Sequence, residues 1–325
     1  MKRVTAFLLA VLIFITVSGC NKEDAAREYT FFGLNTVITF KGPAQTAKEV
    51  ESLINEYENL LSVTRNTSEI YKINEENKAI VSDITAFAIN DAINISKITD
   101  GAFDFTLYPV SKAWGFTKSE FRKLSKSTIA TLLEKTGYEQ VLLNGNEVTV
   151  PQGFMVDLGG IAKGIITDRI SNLLTEKKVE GALISLGGNV YAHGTKNGNK
   201  WNVAIRNPFE DGSIGSVEVS DMAVITSAGY ERNFTIDGTE YHHIIDPKTG
   251  YPANSGLSSV TIVSKNATLA DGLSTGIFVM GYDKGVKLWQ SRDDFDMILV
   301  DDDGKIHVTE GIAKAFNGKF TKIRK

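Results

Sequence analysis

The sequence predicts one large α+β domain whose mixed, mainly antiparallel sheet is flanked by helices. Three observations carry that expectation. Short β-prone runs, one pair joined by a tight polar turn, are interleaved with helical stretches rather than forming an unbroken strand–helix alternation. From Tyr29 onward no Pro- or Ser-rich linker, charge block or tandem repeat divides the chain. The composition, 42% hydrophobic and 23% charged over 325 residues, is that of a globular protein long enough to bury a substantial core.

The chain begins with what reads as an address. Met1-Lys2-Arg3 is a short cationic segment, and Val4 to Val17 is a fourteen-residue uncharged apolar run. That run is too short to span a bilayer, which needs roughly 20 apolar residues, and it fits a signal peptide over residues 1–19. Val17-Ser18-Gly19-Cys20 places the only cysteine where a bacterial lipobox has one. The expectation is cleavage before Cys20, acylation of its thiol, a polar tether over 20–30 and a domain over 31–325. The protein would then be lipid-anchored at the extracytoplasmic face of the cell membrane. An ordinary secretory peptide with a bystander cysteine is the alternative.

Within the domain, Phe31 to Phe40 reads as a strand. Val50, Leu53, Ile54, Tyr57, Leu60 and Leu61 fall at helical spacing, with Thr46 as a candidate N-cap. Helices are expected over Ile84–Ile98, stopped by Asp100-Gly101, and over Ser125–Gly137. Residues 140–150 read as a hairpin turning at Asn144-Gly145-Asn146. A strand–helix–strand unit follows: Phe154–Leu158, Ala162–Lys178 and Ala182–Leu186. Further strands are expected at Trp201–Ile205, Gly215–Val219, Met222–Thr226 and Ser259–Val263. Helices over Ala270–Tyr282 and Lys284–Ser291 precede a last pair, Asp296–Val300 and Lys305–Val308.

Charge and cysteine content exclude some functions. Lys plus Arg number 35 against 39 Asp plus Glu, a formal net charge of −4, which argues against a nucleic-acid binder but leaves room for a local anion site. A lone cysteine excludes an internal disulfide framework, a zinc-thiolate centre and CxxC redox chemistry.

Four segments carry candidate chemistry. In Asp157-Leu158-Gly159-Gly160-Ile161-Ala162-Lys163-Gly164 a carboxylate, two glycines, a helix start and a lysine coincide, which suits phosphate or simply a tight turn. Ser185-Leu186-Gly187-Gly188-Asn189 is a second strand end with paired glycines. Tyr241 to Gly250 contains His242 and His243, which would face opposite ways in a strand, so at most one of them lines a given pocket as a base. Asp246 to Gly250 also makes a good turn. In Ala270 to Gly276, Asp271, Ser274 and Thr275 share one helix face, an all-oxygen set suited to a hard cation such as Mg2+. Helix capping by Asp271 would explain the same residues.

Taken in order, Leu34-Asn35-Thr36, Ser68-Glu69, Gly101-Ala102-Phe103-Asp104, Asp157–Gly164, Ser185–Asn189, Thr226-Ser227, His243–Gly250 and Ala270–Gly276 resemble the ApbE family, the FAD:protein FMN transferases. The resemblance covers about residues 31–310. It implies that FAD binds with its pyrophosphate at a Mg2+ site, that FMN passes to a Thr or Ser hydroxyl of a client flavoprotein as a phosphoester, and that AMP leaves. By motif position it implies metal contacts from Asp271, Ser274, Thr275 and the Gly160 carbonyl. Flavin-nucleotide contacts would come from Leu34, Ala102, Phe103, Asp104, Asp157, Lys163 and Ile245, and His243 would be the base. Some relatives instead give FMN to water, as Mg-dependent FAD pyrophosphatases. A non-catalytic, lipid-anchored flavin-binding protein would need neither His243 nor Asp271 with its hydroxyls.

Three departures stand out. The usual Met-Gly-Thr is Leu34-Asn35-Thr36, and the usual Thr-Ser-Gly is Thr226-Ser227-Ala228, with the glycine displaced to Gly229. An aromatic expected on the adenine side is Thr64, which bears on the balance between transfer and hydrolysis.

Overall fold

A computed structural model describes residues 27–117 and 119–325. The signal peptide, Cys20 and most of the tether lie outside the described residues. Residues 27–30, expected in the tether, instead belong to strand β1 (Arg27–Gly33), where Glu28 meets Lys41 at 3.3 Å. Strand β2 (Thr36–Gly42) pairs antiparallel with it, so the single strand expected over 31–40 is a hairpin. Leu34 (φ 53°) and Asn35 (φ 56°) are both left-handed, as a two-residue primed turn requires. Neither left-handed position is a glycine, although Gly33 precedes them, which is why the sequence reads straight through the turn.

Helix α1 (Ala44–Leu61) buries Ala47, Val50, Ile54, Tyr57 and Leu61, but Pro43 precedes it and Thr46 is buried in the first turn rather than capping. Helix α2 (Glu69–Glu76), not expected, is capped by Ser68 accepting from Tyr71 N–H. Strand β3 (Lys78–Ile80) leads to α3 (Asp83–Ile98), capped by Ser82 and stopped by Asp100 and Gly101, both at positive φ. Helix α4 (Tyr108–Trp114) is also additional, and α5 (Lys126–Leu133) ends four residues short of Gly137. The expected hairpin forms as β4 (Leu142–Asn144) and β5 (Glu147–Thr149), and β3 joins it on the far side of β5.

Phe154–Leu158, largely apolar, is not a strand of any sheet and makes only an isolated parallel bridge between Met155 and Leu107. A side chain also holds its backbone: Asn74 donates to Val156 O at 2.9 Å and accepts from Val156 N–H at 2.7 Å. Asp157 N–H donates to Phe105 O at 2.8 Å. Periodicity cannot distinguish this from sheet pairing, since both bury alternate residues.

Helix α6 (Ala162–Glu176) follows, then β6 (Gly181–Leu186), β7 (Asn189–Gly194), β8 (Trp201–Arg206), β9 (Ser213–Val219) and β10 (Met222–Ala228). The hairpin of β11 (Asn233–Ile236) and β12 (Thr239–His242) precedes β13 (Leu257–Ser264), α7 (Ala267–Met280) and α8 (Tyr282–Gln290). The chain closes with β14 (Asp296–Asp301), β15 (Ile306–Thr309), β16 (Phe316–Asn317) and β17 (Thr321–Ile323).

Nine strands form the main sheet in the order β1-β2-β6-β7-β10-β13-β14-β15-β17, antiparallel at every ladder except β15–β17. The fold is therefore the expected α+β class. One face of the sheet buries Phe40, Ile184, Ile225 and Ile262 with the apolar faces of α1, α6 and α7. On the other, Ala192, Val224, Val263 and Ile298 meet Trp201, Val203 and Val217 of a small sheet made by β16, β9 and β8. With both faces covered, β13 is buried at all but one position, although half of its residues are Ser or Thr. A separate aromatic cluster around Trp114, Phe116 and Tyr241 supports the β11–β12 hairpin.

Candidate active site

The site is built around a seam where α6 and α7 nearly touch. A Cβ on Gly164 would lie 2.4 Å from Ala267 O and 2.8 Å from Asp271 Cβ, so only glycine allows this approach. Asp168 of α6 fastens the start of α7, accepting from Ala267 N–H (2.7 Å), Thr268 N–H (2.8 Å) and the Thr268 hydroxyl (2.6 Å). Asn266 supplies the cap by accepting from Leu269 N–H at 2.7 Å. The helix thus begins three residues before the expected Ala270, and Asp271 sits in its second turn, which excludes capping as the reason for that carboxylate.

Asp271 is 5% exposed. One carboxylate oxygen accepts from Gly164 N–H at 2.8 Å and the other from the Asn189 amide at 2.9 Å. Burial pushes this carboxyl above the usual carboxylate range, opposed by the nearby Lys163 charge and by those two hydrogen bonds. Ser274 Oγ donates to Asp271 O at 2.8 Å and lies 2.7 Å from Ser227 Oγ, which is also 3.1 Å from Thr275 Oγ1. Ser227, at the end of β10, therefore joins the two hydroxyls the sequence singled out.

The Asp157 loop adjoins this seam. Asp157 accepts from Gly159 N–H at 2.8 Å, and burial raises its pKa against the opposing effects of that bond and of Arg232. A Cβ on Gly160 would meet Phe103 at 2.9 Å, and one on Gly276 would come within 3.5 Å of the same residue, so Phe103 lies between the loop and α7. Ala102 N–H donates to Thr99 O at 3.0 Å. The Asp104 carboxylate is spent locally, accepting from Thr106 N–H (2.8 Å), the Thr106 hydroxyl (2.6 Å) and Tyr138 N–H (3.3 Å). Leu34 packs at the edge of the main core. Its hairpin tip abuts the turn before β7, where a Cβ on Gly187 would fall 2.4 Å from Thr36 Oγ1. Thr64 is exposed and, with Val63, Tyr71, Tyr108, Lys112 and Met155, lines a cavity of about 400 Å³.

His243 lies just past β12. Its N–H donates to Arg232 O at 3.0 Å, and its Nδ1 is 3.2 Å from the same oxygen. A carbonyl can only accept, so Nδ1 carries the proton and Nε2 presents a lone pair. Burial, reinforced by the Arg232 charge, lowers the His243 pKa to about 3. His242 points elsewhere, with Nε2 3.0 Å from Ala253 O and its ring edge-on to Phe278, so the two histidines do not share a pocket. Gly229, the displaced glycine, makes room for the His242 ring, which a Cβ there would approach to 2.9 Å. Ile245 is buried in the aromatic cluster, and Asp246 organises the following turn by accepting from Lys248 N–H at 2.9 Å and the Thr249 hydroxyl at 3.2 Å.

Lys163 connects the two halves electrostatically. It acts on Asp271, on His243 and on Glu231, whose pKa is raised by burial and opposed first by Lys163. Among the described residues no group of three or more His, Cys, Asp or Glu side chains is arranged to hold a metal. A cation at the seam would have one carboxylate, with hydroxyls and carbonyls as its other donors.

The ApbE family model matches residues 32–299. The chain belongs to the ApbE family. It is 32% identical to the FAD:protein FMN transferase of Treponema pallidum, over 93% of this chain and 92% of that protein. It is 36% identical to the FAD:protein FMN transferase of Klebsiella pneumoniae, over 78% of this chain and 81% of that one. The crystal structure of the ApbE protein from Thermotoga maritima superposes with a TM-score of 0.84 at 34% identity, covering 89% of this chain and 99% of that one. The apo form of the Pseudomonas stutzeri flavinyl transferase ApbE gives a TM-score of 0.81 at 27% identity, covering 91% and 98%. In this ApbE chain Ser227 and Asn189 lie inside the Thr226-Ser227 and Ser185–Asn189 motifs without a spacing that singles them out, and nothing in the spacing marks Asp168.

Proposed function

We propose that this chain, a flavin transferase by its family, moves FMN from FAD to a Thr or Ser hydroxyl of a client protein, forming a phosphoester and releasing AMP with the help of Mg2+. The observation that carries the reading is the buried Asp271 carboxylate on the same helix as Ser274 and Thr275, whose hydroxyls meet Ser227, with the Lys163 charge acting on both Asp271 and a neutral histidine. The residues suit a hard divalent ion: every donor is oxygen, and the one buried carboxylate has no cation in contact with it among the described residues. Asp271, Ser274, Thr275 and the Gly160 carbonyl would hold the ion. Once bound, it would neutralise diphosphate charge and ease departure of AMP.

The chain's own groups account for the rest. His243 Nε2 takes the proton from the client hydroxyl as the oxygen attacks the FMN phosphorus, and the diphosphate bond to AMP breaks. Lys163 and the Gly159-Gly160 backbone neutralise phosphate charge. The cavity beside Thr64 has the size of a nucleoside half, about 400 Å³, and abuts the Asp157 loop through Met155. Acylation of Cys20 would keep this chemistry at the extracytoplasmic membrane face.

Thr64 supports a second reading. Without an aromatic at that position adenine is held less firmly, and hydrolysis of FAD to FMN and AMP competes. One experiment separates the two. The protein is incubated with FAD, Mg2+ and a candidate client, and covalent flavin on the client is read by in-gel fluorescence. Labelled client supports transfer, free FMN with unlabelled client favours the pyrophosphatase, and bound FAD without AMP release overturns both. Fractionation of Cys20→Ala tests the anchor, with loss from the membrane fraction expected.

A further inference from the structure

Lys163 and Asp271 carry opposite charges at the same seam, yet no ion pair joins them among the described residues. The Asn189 side chain stands between them. Its Nδ2 donates to Asp271 Oδ1 at 2.9 Å, and its Oδ1 lies 3.5 Å from Lys163 Nζ. Asn189 is 2% exposed and opens β7 directly after Gly187 (φ 60°) and Gly188 (φ 100°). A Cβ on Gly187 would fall 2.4 Å from Thr36 Oγ1, so the backbone leading into Asn189 packs closely against the start of β2.

We propose that Asn189 is a positioning residue that works as an insulating spacer: its amide keeps the Lys163 ammonium off the Asp271 carboxylate, leaving the carboxylate for a divalent cation and the ammonium for phosphate. The inference rests on the cation reading of Asp271. An amide suits the task because it is neutral, donates on one side and accepts on the other. An aspartate there would offer Asp271 no donor and would set two carboxylates face to face. An alanine would open a gap that the flexible lysine stem can cross, and a buried carboxylate favours the nearest cation. Without the spacer, the cradle collapses into an internal salt bridge.

Binding of Mn2+ to the full chain without flavin, followed by electron paramagnetic resonance, tests this apart from turnover. Asn189→Ala should weaken Mn2+ binding by about tenfold or more, the usual cost of losing a partner behind a metal ligand. Combining it with Lys163→Met should restore affinity to within about twofold of Lys163→Met alone, since the intruding charge is gone. A residue that only fills space predicts no such rescue, so a double variant as weak as Asn189→Ala overturns the proposal. Wild-type affinity in Asn189→Ala overturns it as well. Asp271→Asn separates the two readings: if that variant binds Mn2+ like wild type, the cation reading fails, whereas loss there with unaltered Asn189→Ala removes the spacer alone. Should Asn189→Ala not fold, Asn189→Ser shortens the side chain and is read in the same way.

Discussion

The α6–α7 seam and the loop carrying His243 both feel the Lys163 charge and are built in opposite ways. At the seam, backbone meets backbone through Gly164, and Asp168, Asp271 and Asn189 bond across long stretches of sequence inside a closed interior. His243 instead hangs from a two-stranded hairpin, an element with little stability of its own. That hairpin rests on aromatic stacking: Phe121 lies 4.7 Å from Phe234, which lies 5.3 Å from Tyr241. Phe121 is 38% exposed, whereas Ser274 is fully buried. A nucleotide always has the same shape and can be met by a finished surface, but a protein acceptor has to be admitted. Under the proposed transfer, the seam would meet the nucleotide and the hairpin side, with Phe121 at its exposed rim, would admit the acceptor.

Four measurements sharpen or break this contrast. Asp271→Asn, which keeps the shape and removes the charge, should lower AMP release by about 10³-fold, the scale for losing one preorganised electrostatic contact. Turnover near wild type would show that the seam is scaffolding alone. His243→Ala should slow transfer by about 10²-fold, as expected for a missing general base, while FAD affinity measured by flavin fluorescence stays unchanged. A large loss of FAD affinity would place His243 on the nucleotide side instead.

The remaining two concern stability. Gly164→Ala drives a methyl group into Ala267 O, and overpacking of this kind costs about 1–3 kcal/mol, read as a fall in Tm accompanied by lost activity. Equal Tm would mean that the seam can open. The smallest effect is a pH slope. The fold holds His243 neutral down to about 3, whereas the unfolded chain protonates it near 6.5, so the unfolded state binds the extra proton between those values. Stability from this group therefore falls as pH drops through that window and levels off below it. His243→Gln should show a smaller Tm difference between pH 7 and pH 4.5, and an unchanged difference would deny that folding holds the ring neutral.

Much of the fold was legible because α1 and α3 bury one stripe each and because turns such as Asn144-Gly145 announce themselves. The failures have physical causes. Leu34 occupies a left-handed position that sequence statistics assign to glycine or asparagine, so the β1–β2 turn was invisible. Helices α2 and α4, with eight and seven residues, bury only three and four positions each, which leaves a weak periodic signal. For the site, residue type and motif brought out Asp271, Lys163 and His243. They could not supply the bonds that arrange these groups, because Ser227 reaches Ser274 across 47 positions and Asn189 reaches Asp271 across 82.

Helix α7 is walled in around most of its circumference, from Ala267 through Ser274 and again from Gly276 to Phe278. Added methyl groups at Gly272 and Gly276 would strike Ile95 and Thr99 at 2.6 and 2.5 Å. A helix with no slack cannot retreat to lengthen a coordination bond. Oxygens that close on Mg2+ at about 2.0–2.1 Å would have to spread to about 2.3–2.6 Å for Ca2+. If Asp271, Ser274 and Thr275 hold a divalent ion as proposed, packing this tight would favour the smaller Mg2+ over Ca2+ through rigidity rather than charge.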